Sequence, residues 1–241
     1  MGSKKSAAFI PVFFLFLFFS SGYAQVVYSD PEKNLNIHKQ QIGFFEDKKG
    51  TLDVKSVARL NQFKPVPGTG DVPNFGITGS AYWLRISVTN LTSLRVLILK
   101  INQPIIDEIE FYTQRSAPDS FKVVKRGEYK PFELRDYQTP EYLFDLDIKP
   151  GTTQTYYIRI KCRENMQVPM SIASRISVFN SSSSYNLASG IYIGIMMVMI
   201  LYNLFIFLIF RDRSYVLYSI YIVMVLLTQT SLQGFTFQYL W

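Results

Sequence analysis

The sequence predicts a mainly β chain, a jelly-roll-like antiparallel β-sandwich followed by an α-helical transmembrane hairpin. Three observations lead there. Short runs in which apolar and polar residues alternate fill the stretch from Val26 to about Val178, separated by Pro, Gly, Asn and Asp. Two long apolar spans come after it, joined by Arg211-Asp212-Arg213. A shorter apolar run stands at the N-terminus behind Lys4 and Lys5.

The N-terminal element comes first. Residues 1–24 read as a signal peptide, with Lys4 and Lys5 as the positive region and Ala7 to Phe19 as the apolar region, interrupted by Pro11. Gly22 and Ala24 put small residues at the −3 and −1 positions for cleavage before Gln25. The run is too short for a bilayer, which takes about 20 apolar residues. The chain from Gln25 onward is therefore expected to be exported.

Residues 25–180 are expected to form the exported domain. Its clearest strand is Tyr82 to Thr89, where Leu84, Ile86 and Val88 share one face and Trp83, Arg85, Ser87 and Thr89 the other. Asn90 then starts a turn. Val96 to Ile101 is almost wholly apolar, as a strand buried on both faces would be. Asp107 to Tyr112, Phe121 to Val124, Tyr142 to Ile148 and Tyr156 to Lys161 supply further strands, with Pro150-Gly151 as a strong turn. Val168 to Ile172 closes the set. His38 to Gln41 and Ser56 to Asn61 are each left as a short helical turn or a strand. A strand count of about eight suits a sandwich or jelly roll.

Residues 181–186, which open with four serines, read as a linker. Residues 187–210 carry no charge, and at about 1.5 Å per residue they are long enough to span a bilayer with some tilt. Residues 211–214 form a turn, and 215–234 a second span. With the exported domain outside, the first span runs inward and Arg211 and Arg213 fall on the cytoplasmic side, as the excess of positive charge on inner loops requires. Residues 235–241 would then lie at the outer interface, where Tyr239 and Trp241 are favoured. This places the chain in the inner (cytoplasmic) membrane with its N-terminal domain in the periplasm or outside the cell. Asn203, Thr228 and Gln229 have no obvious partners in such a hairpin, so the bundle reads as incomplete, a truncated chain or part of an assembly.

Composition narrows the functions. Apolar residues make up 48% of the chain, with 20 Phe and 16 Tyr concentrated at the two ends. Of the net charge of +7, two units come from Lys4 and Lys5 and one from the Arg211-Asp212-Arg213 triplet. The remainder is scattered, which gives no nucleic-acid footprint. Cys162 is the sole cysteine and His38 the sole histidine, so an internal disulfide and a Cys/His zinc site are both excluded. A Ser-His-Asp triad would have to use His38, in a polar stretch near the mature N-terminus. Asp145 and Asp147 share a strand face, a spacing any sandwich offers and so no mark of a glycosidase. No catalytic residue, metal or cofactor is expected, and the chain is not expected to be an enzyme.

Several stretches taken in order carry a resemblance. They are Tyr82-Trp83-Leu84-Arg85 with Asn90, Asp107 to Tyr112, and Tyr157-Ile158-Arg159-Ile160 before Val168-Pro169-Met170. In the spans they are Gly190 to Gly194, Leu201 to Phe205, Arg211 to Tyr215, Gln233-Gly234 and Phe237 to Trp241. The chain resembles the bacterial seven-transmembrane receptors with diverse intracellular signalling modules, those with the type 2 extracellular domain. The resemblance implies a jelly-roll sensor similar to carbohydrate-binding modules, five further membrane helices and an output module, a histidine kinase or nucleotide cyclase among them. Those helices and that module are partners absent from this chain.

The candidate ligand residues are Trp83, Arg85, Tyr157 and Arg159. An aromatic ring covers the apolar face of a sugar and a guanidinium supplies planar hydrogen bonding. The four converge only if their two strands are neighbours. The competing reading buries Trp83 in the core or under a loop and pairs the arginines with Asp107, Glu108 or Asp145. The expected partners are membrane lipid and a small extracellular ligand such as a saccharide, which would shift the sensor and, through the serine stretch, the helices. The alternative function is a membrane-tethered carbohydrate-binding or interaction module without signalling output.

Overall fold

The structure, a computed structural model, describes residues 25–60, 62–115 and 119–239. The expected signal peptide, residues 1–24, lies outside the described residues. In chain order the strands are β1 (Val26–Tyr28), β2 (Leu35–Asn36), β3 (Ile42–Asp47), β4 (Lys64–Pro65), β5 (Ala81–Asn90) and β6 (Val96–Ile101). They continue with β7 (Glu108–Gln114), β8 (Phe121–Arg126), β9 (Tyr142–Asp147), β10 (Thr153–Lys161) and β11 (Met170–Ala173). The helices are α1 (Val54–Arg59), α2 (Arg175–Phe210), α3 (Arg213–Leu232) and α4 (Phe235–Tyr239).

The strands form a sandwich of two sheets. The larger runs β4-β3-β5-β10-β7-β8 and the smaller β2-β11-β6-β9. Strand β5 anchors the larger sheet because it is long enough to pair on both edges. β10 lies antiparallel along one edge. On the other, β3 pairs antiparallel with Ala81–Ile86, and β1 takes up Val88–Asn90 in parallel. The alternation in β5 is real: Leu84, Ile86 and Val88 are fully buried on the inner face. Facing them from the smaller sheet are Leu97, Leu99 and Ile101 of β6 and Leu146 of β9. Phe111 of β7 bridges the sheets, stacked against Phe144 at 4.8 Å and Tyr156 at 5.4 Å between centroids.

The turns close with local chemistry. Asn90 is fully buried at the end of β5, and its amide donates to the Ile148 carbonyl at 3.0 Å while its carbonyl oxygen accepts from the Thr92 amide at 2.9 Å. Gly127 has φ +140°, and a Cβ there would collide with the Asp107 carbonyl oxygen. No other residue can follow β8 at that approach.

The chain passes from β11 to α2 without a connecting loop. Ser174 caps the helix by accepting from the Ser177 amide at 3.1 Å, and its own amide donates to the Tyr28 hydroxyl at 2.9 Å. Helix α2 is unbroken for 36 residues, about 54 Å at 1.5 Å per residue. This corrects the expectation of a linker over residues 181–186: the serines are helical. Their hydroxyls bond back within the helix, Ser181 to the Val178 carbonyl at 2.9 Å and Ser184 to the Asn180 carbonyl at 3.2 Å. The outer face of β6, β9 and β11 packs on the first turns of α2 through Ile98, Leu143, Ala173 and Val178. That contact is why β6 reads as apolar on both faces.

Arg211, in the left-handed conformation, ends α2, and Asp212 caps α3 by accepting from the Ser214 amide at 2.9 Å. The two long helices pack as a hairpin whose surfaces are largely apolar and exposed. Two polar groups expected to lack partners find them in their own helices. Asn203 donates to the Met199 carbonyl and Thr228 to the Met224 carbonyl, both at 2.8 Å.

Candidate functional site

The outer face of the larger sheet gathers the four candidate residues. Strands β5 and β10 are direct neighbours, and the register sets Tyr157 opposite Arg85 and Arg159 opposite Trp83. Phe45 of β3 adjoins Trp83, and Glu110 of β7 adjoins Arg159. The convergence that the sequence left conditional is therefore present.

The same face is roofed. Asp47 accepts from the amides of Gly50 at 2.8 Å and Leu52 at 2.9 Å, which turns the chain back over the sheet. Asp53 then caps α1, accepting from the Ser56 amide at 2.9 Å. Val54 and Val57 of α1, with Phe63 beyond it, close over Trp83 and Tyr157. An ion pair between Arg59 and Asp119 ties the end of α1 to the far side.

Beneath this roof Trp83 has no exposed surface, and its ring lies 5.4 Å from that of Tyr112. Tyr157 packs between Phe63 and Phe121, at 6.1 and 6.0 Å, and burial raises its pKa above the usual phenol value. The Arg85 guanidinium lies 4.6 Å from the Phe63 ring centroid. Arg159 donates to the Gly50 carbonyl at 3.1 Å and stands 3.6 Å from Glu108 and 3.7 Å from Glu110. Glu110 also accepts from Lys125 at 2.6 Å and from the Tyr112 hydroxyl at 2.7 Å. Burial pushes its pKa up, but these hydrogen bonds outweigh burial and hold it below the ordinary value.

An open cleft adjoins the roof. Phe44, Phe45, Glu46, Gln62, Phe63 and Lys64 line a cavity of about 570 Å³ at the β3–β4 edge. It combines aromatic walls with an amide, a carboxylate and an ammonium group, and Phe63 separates it from Arg85.

A second region of contact, between sandwich and hairpin, escaped the sequence reading. The turn after α3 reaches back to the sandwich. Gly234, with φ +79°, lies so close to Pro104 and Pro140 that a Cβ would meet their side chains at 2.7 and 3.1 Å. Phe237 packs edge-on against Phe132 at 5.7 Å, and Gln238 donates to the Gln138 carbonyl at 3.2 Å. Tyr185 of α2 stacks with Phe235 at 6.2 Å. At the centre of this seam lies Arg135, only 7% exposed. It donates to the carbonyls of Thr139 at 2.9 Å and Pro140 at 2.6 Å, and sits over the rings of Phe132, Tyr142 and Phe237. Burial lowers its pKa from the ordinary arginine value. Phe132, Thr139, Pro140 and Tyr142 lie within seven residues of Arg135, but Phe237 comes from far along the chain, and that meeting leaves no local pattern in the sequence.

Asp145 and Asp147 serve other ends. Asp147 takes a bidentate pair from Arg95 at 2.7 and 3.2 Å, and Asp145 accepts from the Tyr137 hydroxyl at 2.6 Å. Among the described residues no group of three or more His, Cys, Asp or Glu could hold a metal ion.

No curated protein matches this chain. Among solved structures the likenesses are distant and carry no argument. A GH115 4-O-methyl-α-glucuronidase with specificity for decorated arabinogalactans is 14% identical, over 43% of this chain and 14% of that one, at a TM-score of 0.23. A structure of carbohydrate-binding modules from the β-sandwich superfamily is 9% identical, over 63% and 62%, at 0.26. A GH31 α-xylosidase from Xanthomonas citri is 11% identical, over 61% and 19%, at 0.25. The present chain thus spans less than two thirds of each of these. Two family models match in tandem, 7TMR-DISM extracellular 2 over residues 39–174 and 7TM diverse intracellular signalling over residues 185–241. The sandwich is the first of these and the apolar hairpin the start of the second: the chain belongs to the seven-transmembrane receptors with diverse intracellular signalling modules, as a membrane sensory receptor with an extracellular N-terminal domain.

Proposed function

We propose that the chain is the ligand-sensing portion of a bacterial inner-membrane signalling receptor. It binds a small extracellular ligand such as a carbohydrate and relays the event to its membrane helices. The observation that carries this reading is the double attachment of sandwich to hairpin. Strand β11 becomes α2 without a loop, and the turn after α3 packs on Pro104 and Pro140. With the sandwich attached at both ends of the hairpin's outer side, a shift of β11 relative to Pro104 and Pro140 would move the two helices relative to one another.

The orientation follows the charge pattern, with Arg211 and Arg213 in the cytoplasm. The Tyr185–Phe235 stack then sits at the outer interface, directly above the charge-free span beginning at Leu187. Saccharide as the ligand class is supported by the cleft at Phe45, Gln62 and Phe63, which pairs aromatic walls with planar and charged hydrogen-bonding groups. In this reading Trp83, Arg85, Tyr157 and Arg159 make the layer beneath the ligand face, and Arg85 acts on the cleft through Phe63.

The test uses the whole chain in detergent micelles on a glycan array, followed by calorimetry of the hits. The expected outcome is a saccharide whose affinity falls about tenfold or more, about 1.4 kcal/mol, in Gln62→Ala and Lys64→Ala. No hit on the array, or affinity unchanged in both variants, would overturn the ligand face. Trp83→Ala is a poor probe, since emptying a fully buried tryptophan site costs about 3–5 kcal/mol of stability by itself.

A further inference from the structure

A second cleft, of about 340 Å³, lies against the outer face of the smaller sheet, where that sheet meets α2. The register builds its floor. Asn36 of β2 and Lys100 of β6 both stand opposite Ser171 of β11, so three polar side chains form one row across three adjacent strands. Asn102 and Pro169 continue the floor, Ser181 of α2 makes one wall, and Val72 and His38 make the other. The side chains of Asn36, Ser171 and Asn102 hydrogen-bond to no other described residue, whereas most polar groups around them are already paired. Lys100 is neutralised by Glu141 at 2.7 Å, and His38 lies 3.6 Å from Asp71.

We infer that this cleft is a binding site for an uncharged, polyhydroxylated molecule of monosaccharide size. Its half-buried cation, Lys100, is matched by Glu141, which leaves no unpaired ammonium on the floor to hold a free anion. Its unpaired amides and hydroxyl are both donors and acceptors. Asn36 and Ser171 are spaced by the separation of adjacent strands, about 4.8 Å, comparable to that of hydroxyls across a six-membered sugar ring, and Asn102 lies further along, beside Pro169. Val72 and Pro169 offer apolar surface to the ring's carbon face. The volume falls within the range of about 300–1,000 Å³ usual for small-ligand sites.

The position gives the site its consequence. A molecule held between the Asn36–Ser171–Lys100 row and Ser181 touches three strands of the sensor and the helix that enters the membrane. It would act on α2 directly, without passing through the sandwich core. This goes beyond the ligand face on the larger sheet and does not depend on it.

The test exploits the burial of Cys162, which is 1% exposed and is the sole cysteine. Val72→Cys in the full chain, in micelles, places an accessible thiol on the cleft rim. Maleimide labelling is then timed with glucose, galactose, mannose and N-acetylglucosamine, with sodium sulfate as the anionic control. At least one sugar is expected to slow labelling about fivefold or more at saturation, with no effect of sulfate. Adding Asn36→Ala and Asn102→Ala is expected to abolish the protection, and Gln62→Ala to leave it intact. No protection by any of the four sugars would overturn this site, as would protection that survives the double substitution. Protection lost only in Gln62→Ala would overturn it too, while leaving the face on the larger sheet standing.

Discussion

Glu110 shows how a single carboxylate acts on the sheet around it. It receives Lys125 from β8 and Tyr112 from its own strand, and faces Arg159 from β10. Its pKa is depressed in the folded protein relative to the ordinary value of 4.5. A depressed carboxylate pKa means stability that is present above the unfolded value and lost as pH falls through the folded one. Thermal unfolding of the full chain is therefore expected to fall between about pH 5 and about pH 3, with Glu110 among the causes. In Glu110→Gln the melting temperature should be lower than wild type near pH 7, and the gap should narrow on acidification. A gap that stays constant down to about pH 3 would show that this carboxylate is not linked to folding. The identity of these partners was half legible: Glu108 was a foreseeable partner of Arg159, whereas Glu110 meets Arg159 on one side and Lys125 on the other only through the β10-β7-β8 pairing.

At the scale of elements, the alternation in β5 and β10 was readable because each strand shows the core one face. The roof over Trp83 was not, because α1 is a single short turn-rich segment whose position depends on Asp47 and Asp53 caps. The serine stretch misled for a related reason. Serine is a weak helix former that competes with the backbone for hydrogen bonds, and four in a row read as a break. In place, Ser181 and Ser184 bond back along α2, and packing on Ile98 and Leu143 starts the helix before the serines arrive. Ser182→Pro tests whether this continuity matters. Proline in a helix interior costs about 3 kcal/mol and removes the amide that would bond toward Val178. With spin labels at exposed Phe179 and Leu187, the distance distribution is expected to broaden in Ser182→Pro and stay narrow in Ser182→Ala. Equal widths in the two variants would mean that the serine segment bends freely already.

Across the whole molecule, sensor and hairpin touch at two places among the described residues, and the two differ in kind. The α2 attachment is covalent and helical. The Gly234 attachment is a packed, non-covalent seam. Arg135 holds that seam from the sensor side, directing its hydrogen bonds to Thr139 and Pro140 and its charge to three rings, one of them Phe237 beyond the membrane span. Its Nη2 atom is buried with no hydrogen-bond partner, so the rings are what stabilise that end of the guanidinium. Such contacts contribute about 0.5–1 kcal/mol at exposed sites and about 2 kcal/mol or more when desolvated. Replacing Arg135 by methionine keeps the length and apolar bulk of the side chain but removes both kinds of interaction. Hydrogen exchange of the full chain in micelles should then rise at the Phe132–Pro140 loop and around Gly234, while amides of β5 and β10 keep their protection. Protection lost evenly across the sandwich would make Arg135 an ordinary core residue. Protection unchanged at Gly234 would leave α2 as the sole route between sensor and membrane.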